Sequence, residues 1–472
     1  MRWIKIFLFG LVVSCTGTKA RNETAAVTPK DEAPSPIANL TGYSDGYVKE
    51  PIFGGEIYLV QVGPTDGPPV LLIHGLGDNG ARDWYELIPR LAEHFRAVAF
   101  DLPGFARSTK ANTKYSPERY VELIKWIVDR NIRGTFDLVG HSLGGALSLL
   151  YAGTYPSTVR RLVLADVAGI LDRHVFVGQL MDDKAGFLTE FRIRPEKSFG
   201  WSLPLMLGLS DIFDLEPHRI LESAEARQEN LDGDPRKIAG LALMLHDFGP
   251  AISSIESPTL LIWGEEDRIA PLRTSVILHD RLKNATLEVL QGTAHTPMHD
   301  LPDLFGTNII RFLQSPQVDV AAGPKTSTPF VSRRNEHLEG QDGGVYHGDF
   351  DALEIVSCKN ISIRDARIRK LTVISSSVEV VSSHIMGSDV GIDVISSELR
   401  ITGGSISGQT AIKTTSSLID LAGVAIETGD DAVKCDGDSK LVFSVCPVKT
   451  ADGRITHLHG YYPLQTGKNI AL

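Results

Sequence analysis

The sequence is poor in cysteine, with only Cys15, Cys358, Cys435 and Cys446 among 472 residues. If Cys15 is modified, as argued below, three thiols remain, and an odd number cannot all pair within one chain. No spacing of cysteine and histidine typical of a zinc site occurs either. The sequence therefore predicts a fold held by packing, with at most one disulfide and with no metal or other cofactor.

An excess of basic residues is also missing. The chain has 47 Lys and Arg against 58 Asp and Glu, a formal charge of −11, and no basic stripe interleaved with aromatic residues. This excludes nucleic acid as a partner. At 42% hydrophobic and 22% charged residues, the composition is typical of a soluble globular chain, and the length suggests roughly two or three domains.

No apolar run of transmembrane length occurs, and the apolar run within residues 1–15 is too short to span a bilayer. This run follows two basic residues and ends at Cys15. Residues 12–15 resemble a bacterial lipobox, which implies a signal peptide over 1–15 and a diacylglycerol on Cys15. Residues 16–36 then form a tether. We expect an exported protein that is lipid-anchored to a bacterial membrane on its periplasmic or cell-surface face; an ordinary secretory signal is the alternative.

Buried-strand patterns alternate with helical patterns in the first half of the chain. Mainly apolar runs lie at 70–73, 97–100, 136–139, 161–165 and 259–263. Such alternation predicts an α/β domain with a mostly parallel sheet that helices cover on both faces. Catalytic residues then belong at the carboxyl ends of the strands.

Gly140-His141-Ser142-Leu143-Gly144 follows one of these strands and precedes a helical pattern. It matches the nucleophile elbow G-x-S-x-G in the context that the motif requires. A serine hydroxyl is a weak nucleophile unless a base takes its proton and a third group orients that base. We therefore predict Ser142 as the nucleophile and expect a histidine and a carboxylate at later strand ends.

Asp267 follows the apolar run at 259–263, and His295 follows a plausible last strand at 287–290. The order Ser142, Asp267, His295 is the one expected of this constellation. Asp166 also ends a strand and is a rival for the acid.

Three further histidines have a structural interpretation. His74 and His141 belong to their own turns, because the base must approach the hydroxyl from a different loop. His299 lies beyond Pro297 at the start of a predicted helix and is interpreted as structural.

Together these residues resemble the α/β-hydrolase superfamily, which implies a hydrolase domain over 37–313. Residues 74–77 are similar to that family's His-Gly oxyanion motif, which implies that the backbone N–H groups of Leu76 and Leu143 stabilise the oxyanion. The turn at 101–108 is also similar, with Ala106 where glycine is usual.

Residues 167–256 are far longer than a simple crossover between strands and resemble the helical cap of many α/β-hydrolases. Their apolar residues favour an apolar acyl or alcohol group on the substrate. They are Phe176, Leu180, Met181, Phe187, Leu188, Phe191, Phe199, Trp201, Leu203, Leu205, Met206, Leu207 and Phe213.

Polar residues at 314–349 predict a linker, and residues 350–472 contain a repeat. Ser-Ser pairs open short alternating strands at 376, 396 and 416, and a period near twenty predicts a parallel β-helix. The pattern resembles the right-handed β-helix of pectate lyases and polygalacturonases.

The Gly-Asp-Asp sequence ending in Asp430 and Asp431 is similar to the polygalacturonase motif, with His457 and His459 downstream. A binding or spacer role is favoured over catalysis, so a polysaccharide is a candidate contact of this domain. Because the predicted triad precedes Gln314, we expect the β-helix to be separable; docking on the hydrolase domain is the alternative.

The sequence thus predicts a membrane-anchored serine esterase that acts on a small-molecule ester. A C–C bond hydrolase or an acyltransferase with the same triad remains open. So does a surface carbohydrate-binding protein with an inert hydrolase domain.

Overall fold

A computed structural model describes residues 35–175, 217–315 and 334–471. In the first two ranges, eight strands form one sheet in the order β1-β2-β4-β3-β5-β6-β7-β8. The strands are β1 (Ser44–Lys49), β2 (Glu56–Val62), β3 (Pro69–Ile73), β4 (Arg96–Phe100), β5 (Phe136–His141), β6 (Val159–Ala165), β7 (Thr259–Gly264) and β8 (Ala285–Leu290). Only β1 and β2 run antiparallel to their neighbours.

Helices cover both faces of this sheet, as the alternating pattern predicts. A 3₁₀ helix spans Gly80–Trp84. The α-helices are α1 (Ile88–Leu91), α2 (Pro117–Asn131), α3 (Leu143–Thr154), α4 (Pro217–Glu222), α5 (Ala224–Leu231), α6 (Pro235–Met244), α7 (Gly249–Ser254), α8 (Leu272–Arg281), α9 (Pro297–Asp300) and α10 (Pro302–Gln314).

The central strands are apolar along their length because both of their faces are buried. In β3, Leu71 and Ile73 enter one apolar core, whereas Val70 and Leu72 enter the core on the opposite face. The predicted α/β fold class is confirmed.

Between β6 and β7 the described residues form helices α4 to α7 and no strand. This agrees with a helical insertion. The thirteen apolar residues predicted to pack the cap lie outside the described residues. The limits 167–256 stay a prediction.

The third described range is all-β. Its strands are β9 (Asn335–Glu339), β10 (Asp342–Phe350), β11 (Ala352–Val356), β12 (Lys359–Ile368), β13 (Leu371–Ile374), β14 (Ser377–Val381), β15 (His384–Met386), β16 (Val390–Ile395), β17 (Glu398–Thr402), β18 (Ser405–Gly408), β19 (Thr410–Thr415), β20 (Leu418–Ala422), β21 (Ala425–Thr428), β22 (Asp431–Gly437), β23 (Ser439–Thr450), β24 (Ile455–Leu464) and β25 (Ile470–Ala471).

Most of these strands pair in parallel with the strand one repeat away. Leu371 pairs with Ile392, Ile392 with Ile412, and Ile412 with Val433, so successive coils are 20 or 21 residues apart. The repeat read from the sequence is thus a stacking period, and the all-β class with parallel coils agrees with the predicted β-helix.

One serine at the same corner of each coil explains the repeat physically. The hydroxyl oxygens of Ser376, Ser397, Ser417 and Ser439 accept the backbone N–H of Cys358, Ser376, Ser397 and Ser417, at 2.9–3.2 Å. This ladder satisfies buried N–H groups at the corner of each coil, where no strand partner is available.

The linker predicted over 314–349 is wrong at both ends. Helix α10 includes Gln314, strand β9 begins at Asn335, and strand β10 begins at Asp342. These strands form the first coil, where β10 is largely exposed. They consequently lack the apolar alternation that marks the later strands.

The β-helix docks on the hydrolase domain. Ala422 and Val445 are buried within the apolar core of that domain, and Val445 takes a φ of 47°, which β-branched residues rarely adopt. A Cβ on Gly423, whose φ is +64°, would lie 2.6 Å from Ile277 Cγ2. The structure therefore has the docked arrangement.

Cys358, Cys435 and Cys446 are buried free thiols, within the limit of one disulfide that the sequence sets. Among the helices in the described ranges, none has both the length and the apolar character to cross a membrane.

Candidate active site

Ser142 lies in the turn between β5 and α3, at the carboxyl end of the central strands. Its backbone φ is 52°, a strained conformation for a non-glycine residue. A Cβ on Gly144 would lie 2.1 Å from the Ile73 carbonyl oxygen, and one on Gly140 would lie 2.3 Å from the Gly144 carbonyl oxygen. Both flanking glycines are therefore required sterically.

The three side chains predicted as a triad meet in one hydrogen-bonded chain. Ser142 Oγ lies 2.9 Å from His295 Nε2, and His295 Nδ1 lies 2.8 Å from Asp267 Oδ2. In this geometry the hydroxyl donates to Nε2 and the Nδ1–H donates to the carboxylate, which is the arrangement that activates a serine.

The Asp267 carboxylate is fixed by its own loop. Its Oδ1 accepts the N–H groups of Ile269 and Ala270 at 2.8 and 2.9 Å. Burial would raise the pKa of Asp267, but the charge and hydrogen bond of His295 and the Ala270 N–H outweigh it and lower the pKa below its usual value. Asp267 is therefore charged and can stabilise an imidazolium.

The turn at 74–77 lies directly against Ser142. A Cβ on Gly75 would lie 2.8 Å from His141 Nδ1 and 3.2 Å from Ser142 Cβ. Among the described residues, the N–H groups of Leu76 and Leu143 donate to no carbonyl of the surrounding turns and caps. Their role as the oxyanion hole stays a prediction.

His74 and His141 are held by backbone groups. His74 Nε2 accepts the Leu102 N–H at 2.8 Å, and His141 Nε2 donates to the His295 carbonyl oxygen at 2.7 Å. Burial, reinforced by the charge of His295, lowers the pKa of His141 to about 4, so its ring is neutral. Sequence reasoning missed that His141 holds the backbone of the base.

His299 pairs with Asp83 at 3.4 Å. That hydrogen bond raises the pKa of His299. The contact between His299 and Asp83 is separate from the hydrogen-bonded chain of Ser142, His295 and Asp267.

Ala106 explains why the related turn usually has glycine, since its φ is 40°. The turn is held by Asp101, whose carboxylate accepts the N–H of Ala81 at 2.7 Å and pairs with Arg107 at 2.8 Å.

Asp431 and the two histidines of the β-helix motifs have separate partners. Asp431 Oδ2 accepts an Asn469 N–H at 2.8 Å on the surface. His459 instead faces the hydrolase domain, 3.8 Å from Asp172 and 3.7 Å from Asp247, and His457 lies 3.2 Å from Ser253 Oγ. Contact with a polysaccharide stays a prediction.

One set of potential metal donors occurs among the described residues: Asp166, Asp267 and His295, whose donor atoms lie within 4.8 Å of one another. Both nitrogens of His295 are already engaged with Ser142 and Asp267. We therefore interpret this set as the Ser–His–Asp chain with an additional carboxyl group, not as a metal site.

With this geometry in place, comparison with known proteins gives the family. A model of the alpha/beta hydrolase fold family matches residues 68–302. The 2-hydroxy-6-oxo-2,4-heptadienoate hydrolase of Pseudomonas putida is 31% identical over 258 residues, which are 51% of this chain and 87% of the relative. The chain belongs to the alpha/beta hydrolase fold family and is a hydrolase.

Two further known proteins match a similar share of this chain. The 2-hydroxy-6-oxo-6-(2'-aminophenyl)hexa-2,4-dienoic acid hydrolase of Metapseudomonas resinovorans is 25% identical over 280 residues, 57% of this chain and 91% of the relative. The crystal structure of a putative lipase from Acinetobacter baumannii is 22% identical, with a TM-score of 0.45, over 61% of this chain and 97% of that chain.

Proposed function

We propose that the protein is a serine hydrolase that cleaves carboxylic esters, with Ser142 as nucleophile, His295 as base and Asp267 as orienting acid. The observation that supports this most directly is the continuous hydrogen-bonded chain from Ser142 Oγ through His295 to Asp267, at 2.9 and 2.8 Å. It starts at a strained turn that places the hydroxyl at the carboxyl end of the central strands.

In the proposed mechanism, His295 Nε2 takes the hydroxyl proton as Ser142 Oγ attacks the ester carbonyl carbon. The carbonyl oxygen becomes an oxyanion, which the N–H groups of Leu76 and Leu143 stabilise. Its collapse breaks the bond to the alcohol, which leaves with the proton from His295 Nε2 and gives an acyl-enzyme. Water, deprotonated by the same nitrogen, then releases the acid and restores Ser142.

The described part of the insertion reaches the proposed site. Arg236 in α6 pairs with Asp78, next to the 74–77 turn, at 3.0 Å, so this helix begins beside the proposed oxyanion hole. We propose that the insertion covers the substrate and that the apolar residues of its sequence favour an apolar acyl or alcohol group.

A C–C bond hydrolase is the second candidate, favoured by the names of the two dienoate hydrolases that this chain resembles. Such an enzyme would use the same triad on a carbon leaving group. The two candidates differ in the leaving group and not in the nucleophile, so labelling of Ser142 alone does not separate them.

We expect turnover of nitrophenyl esters, tested from acetate to laurate, with a burst of nitrophenol equal to the enzyme concentration as the acyl-enzyme forms. A vinylogous 1,5-diketone is assayed in parallel, and Ser142→Ala is the blank for both substrates. A higher kcat/KM for the diketone than for every ester would replace the esterase proposal with C–C hydrolysis. No turnover of either substrate, together with no labelling by a fluorophosphonate, would favour an inert surface protein.

We also propose that Cys15 carries a lipid that anchors the exported chain, supported by the lipobox-like residues 12–15. Each buried acyl methylene contributes about 0.8 kcal/mol to membrane binding, so more than one chain gives a firm anchor.

For the variant Cys15→Ser we expect loss of metabolic labelling by an alkyne fatty acid and loss of partitioning into the detergent phase. Cys435→Ser, which changes a buried thiol of the β-helix, is the matched control and should partition like the wild type. Unchanged partitioning of Cys15→Ser would exclude the anchor.

A further inference from the structure

A second carboxyl group lies beside the predicted acid. Asp166 follows the last residue of β6 and is fully buried. Its Oδ1 accepts the N–H of Gly264, the last residue of β7, at 2.9 Å. Its Oδ2 has no hydrogen-bond partner among the described residues, and an unsatisfied buried oxygen is costly.

The group that faces Asp166 is the Asp267 carboxyl, since the donor atoms of Asp166, Asp267 and His295 lie within 4.8 Å of one another. Two carboxylates in a buried site cannot both ionise without a large penalty, so one of them keeps a proton. If the retained proton lies between Asp166 Oδ2 and the Asp267 carboxylate, the otherwise unpaired oxygen of Asp166 takes part in a hydrogen bond.

The surroundings decide which carboxyl group is neutral. Asp267 receives two backbone N–H groups and the Nδ1–H of His295, all of which stabilise a negative charge. Asp166 receives one N–H group. Burial first, and then the negative charge of Asp267, raise the pKa of Asp166 well above its usual value.

We propose that Asp166 is a positioning residue: a neutral carboxylic acid whose O–H donates a hydrogen bond to the Asp267 carboxylate and so holds that carboxylate toward His295. The proposal rests on the proposed function. It changes the role of Asp166 from a rival of Asp267 to its partner.

The backbone supports this role. Asp166 has a φ of 45°, a left-handed conformation that is strained for a residue other than glycine. The conformation turns the chain under the nucleophile, where the Ala168 N–H meets the Ser142 carbonyl oxygen at 3.4 Å. The Asp166 side chain thereby ties the ends of β6 and β7 together beside the acid.

The test compares Asp166→Asn with Asp166→Leu. Asparagine keeps an oxygen for the Gly264 N–H and supplies an N–H in place of the acid proton, so we expect kcat and KM close to those of the wild type. Leucine has a similar size but cannot donate. We expect it to lower kcat about 10- to 100-fold with little change in KM, as for other residues that orient a catalytic group.

Each outcome decides the proposal. If Asp166→Asn and Asp166→Leu had equal kcat values, the hydrogen bond from position 166 would have no effect on catalysis, and Asp166 would only fill space. A loss of about 10⁴-fold in Asp166→Asn, with activity retained in Asp267→Asn, would make Asp166 the triad acid and overturn the proposal. Loss of activity in Ser142→Ala tests the proposed function separately, because that result does not depend on Asp166.

Infrared spectroscopy keeps the proposal testable if Asp166→Leu fails to fold. The difference spectrum of wild type minus Asp166→Asn at neutral pH should contain the carbonyl stretching band of a protonated carboxylic acid. A carboxylate band in its place would show that Asp166 is ionised, and the proposal would be wrong.

Discussion

We expect Ser142→Ala to lower kcat for ester hydrolysis by about 10⁶-fold, and His295→Ala by a similar factor, because nucleophile and base act as a unit. Without the Oγ atom no acyl-enzyme forms, and without His295 nothing takes the hydroxyl proton. The remaining turnover comes from substrate binding and the oxyanion hole. Because the two residues share one step, the double variant should be no slower than either single variant.

The measurement is the burst and steady-state release of nitrophenol, with folding checked by circular dichroism. Ser275→Ala is the matched control, since Ser275 is fully buried and its hydroxyl donates within α8, to the Leu272 carbonyl oxygen, at 2.7 Å. It should keep wild-type turnover. More than a hundredth of wild-type kcat in Ser142→Ala would mean that another group is the nucleophile.

The nucleophile turn could be predicted from sequence because its constraints are local. The positive φ of Ser142 and the steric need for Gly140 and Gly144 arise within a few residues of one another. Asp267 and His295 were predicted by their order along the chain and by their positions after strands, and the structure brings both into the hydrogen-bonded chain with Ser142. The proximity of Asp166 to Asp267 was missed because it depends on the adjacency of β6 and β7.

The sequence predicted the β-helix in those coils whose alternate side chains are buried in its interior. The serine ladder and the apolar alternation recur in the coils from Leu371 onward, whereas the first coil, at 335–350, is exposed and lacks them. The docking of the two domains leaves no periodic signal at all. It joins residues more than a hundred positions apart, such as Arg273 and Asp420.

Arg273 makes several of the polar contacts between the domains. Its Nη1 and Nη2 donate to the two oxygens of Asp420 at 2.6 and 3.0 Å, and its Nε donates to Thr402 Oγ1 at 2.7 Å. The side chains of Arg273 and Asp420 are 12% and 15% exposed, so solvent screens the pair only partly. Arg273 lies in the first turn of α8, directly after the loop that holds Asp267.

For Arg273→Ala we expect the free energy of unfolding of the hydrolase domain to fall by about 2–5 kcal/mol, because Asp420 loses its bidentate partner in a mostly buried contact. Four of the five tryptophans lie within 37–313, the fifth is Trp3 in the predicted signal peptide, and the β-helix has none. Tryptophan fluorescence during denaturant unfolding therefore follows the hydrolase domain. Asp420→Ala should give a similar loss, and the double variant should lose less than the sum of the two.

Arg311→Ala is the matched control for that experiment. Its partner is Glu288 at 3.0 Å, but the two side chains are 64% and 43% exposed, and pairs of that kind contribute about 0–1 kcal/mol. An equal, small effect of both arginine variants would mean that the β-helix adds nothing to the stability of the hydrolase domain. A selective loss in Arg273→Ala would show that the two domains fold as one unit, with the β-helix supporting the helix that follows the catalytic acid.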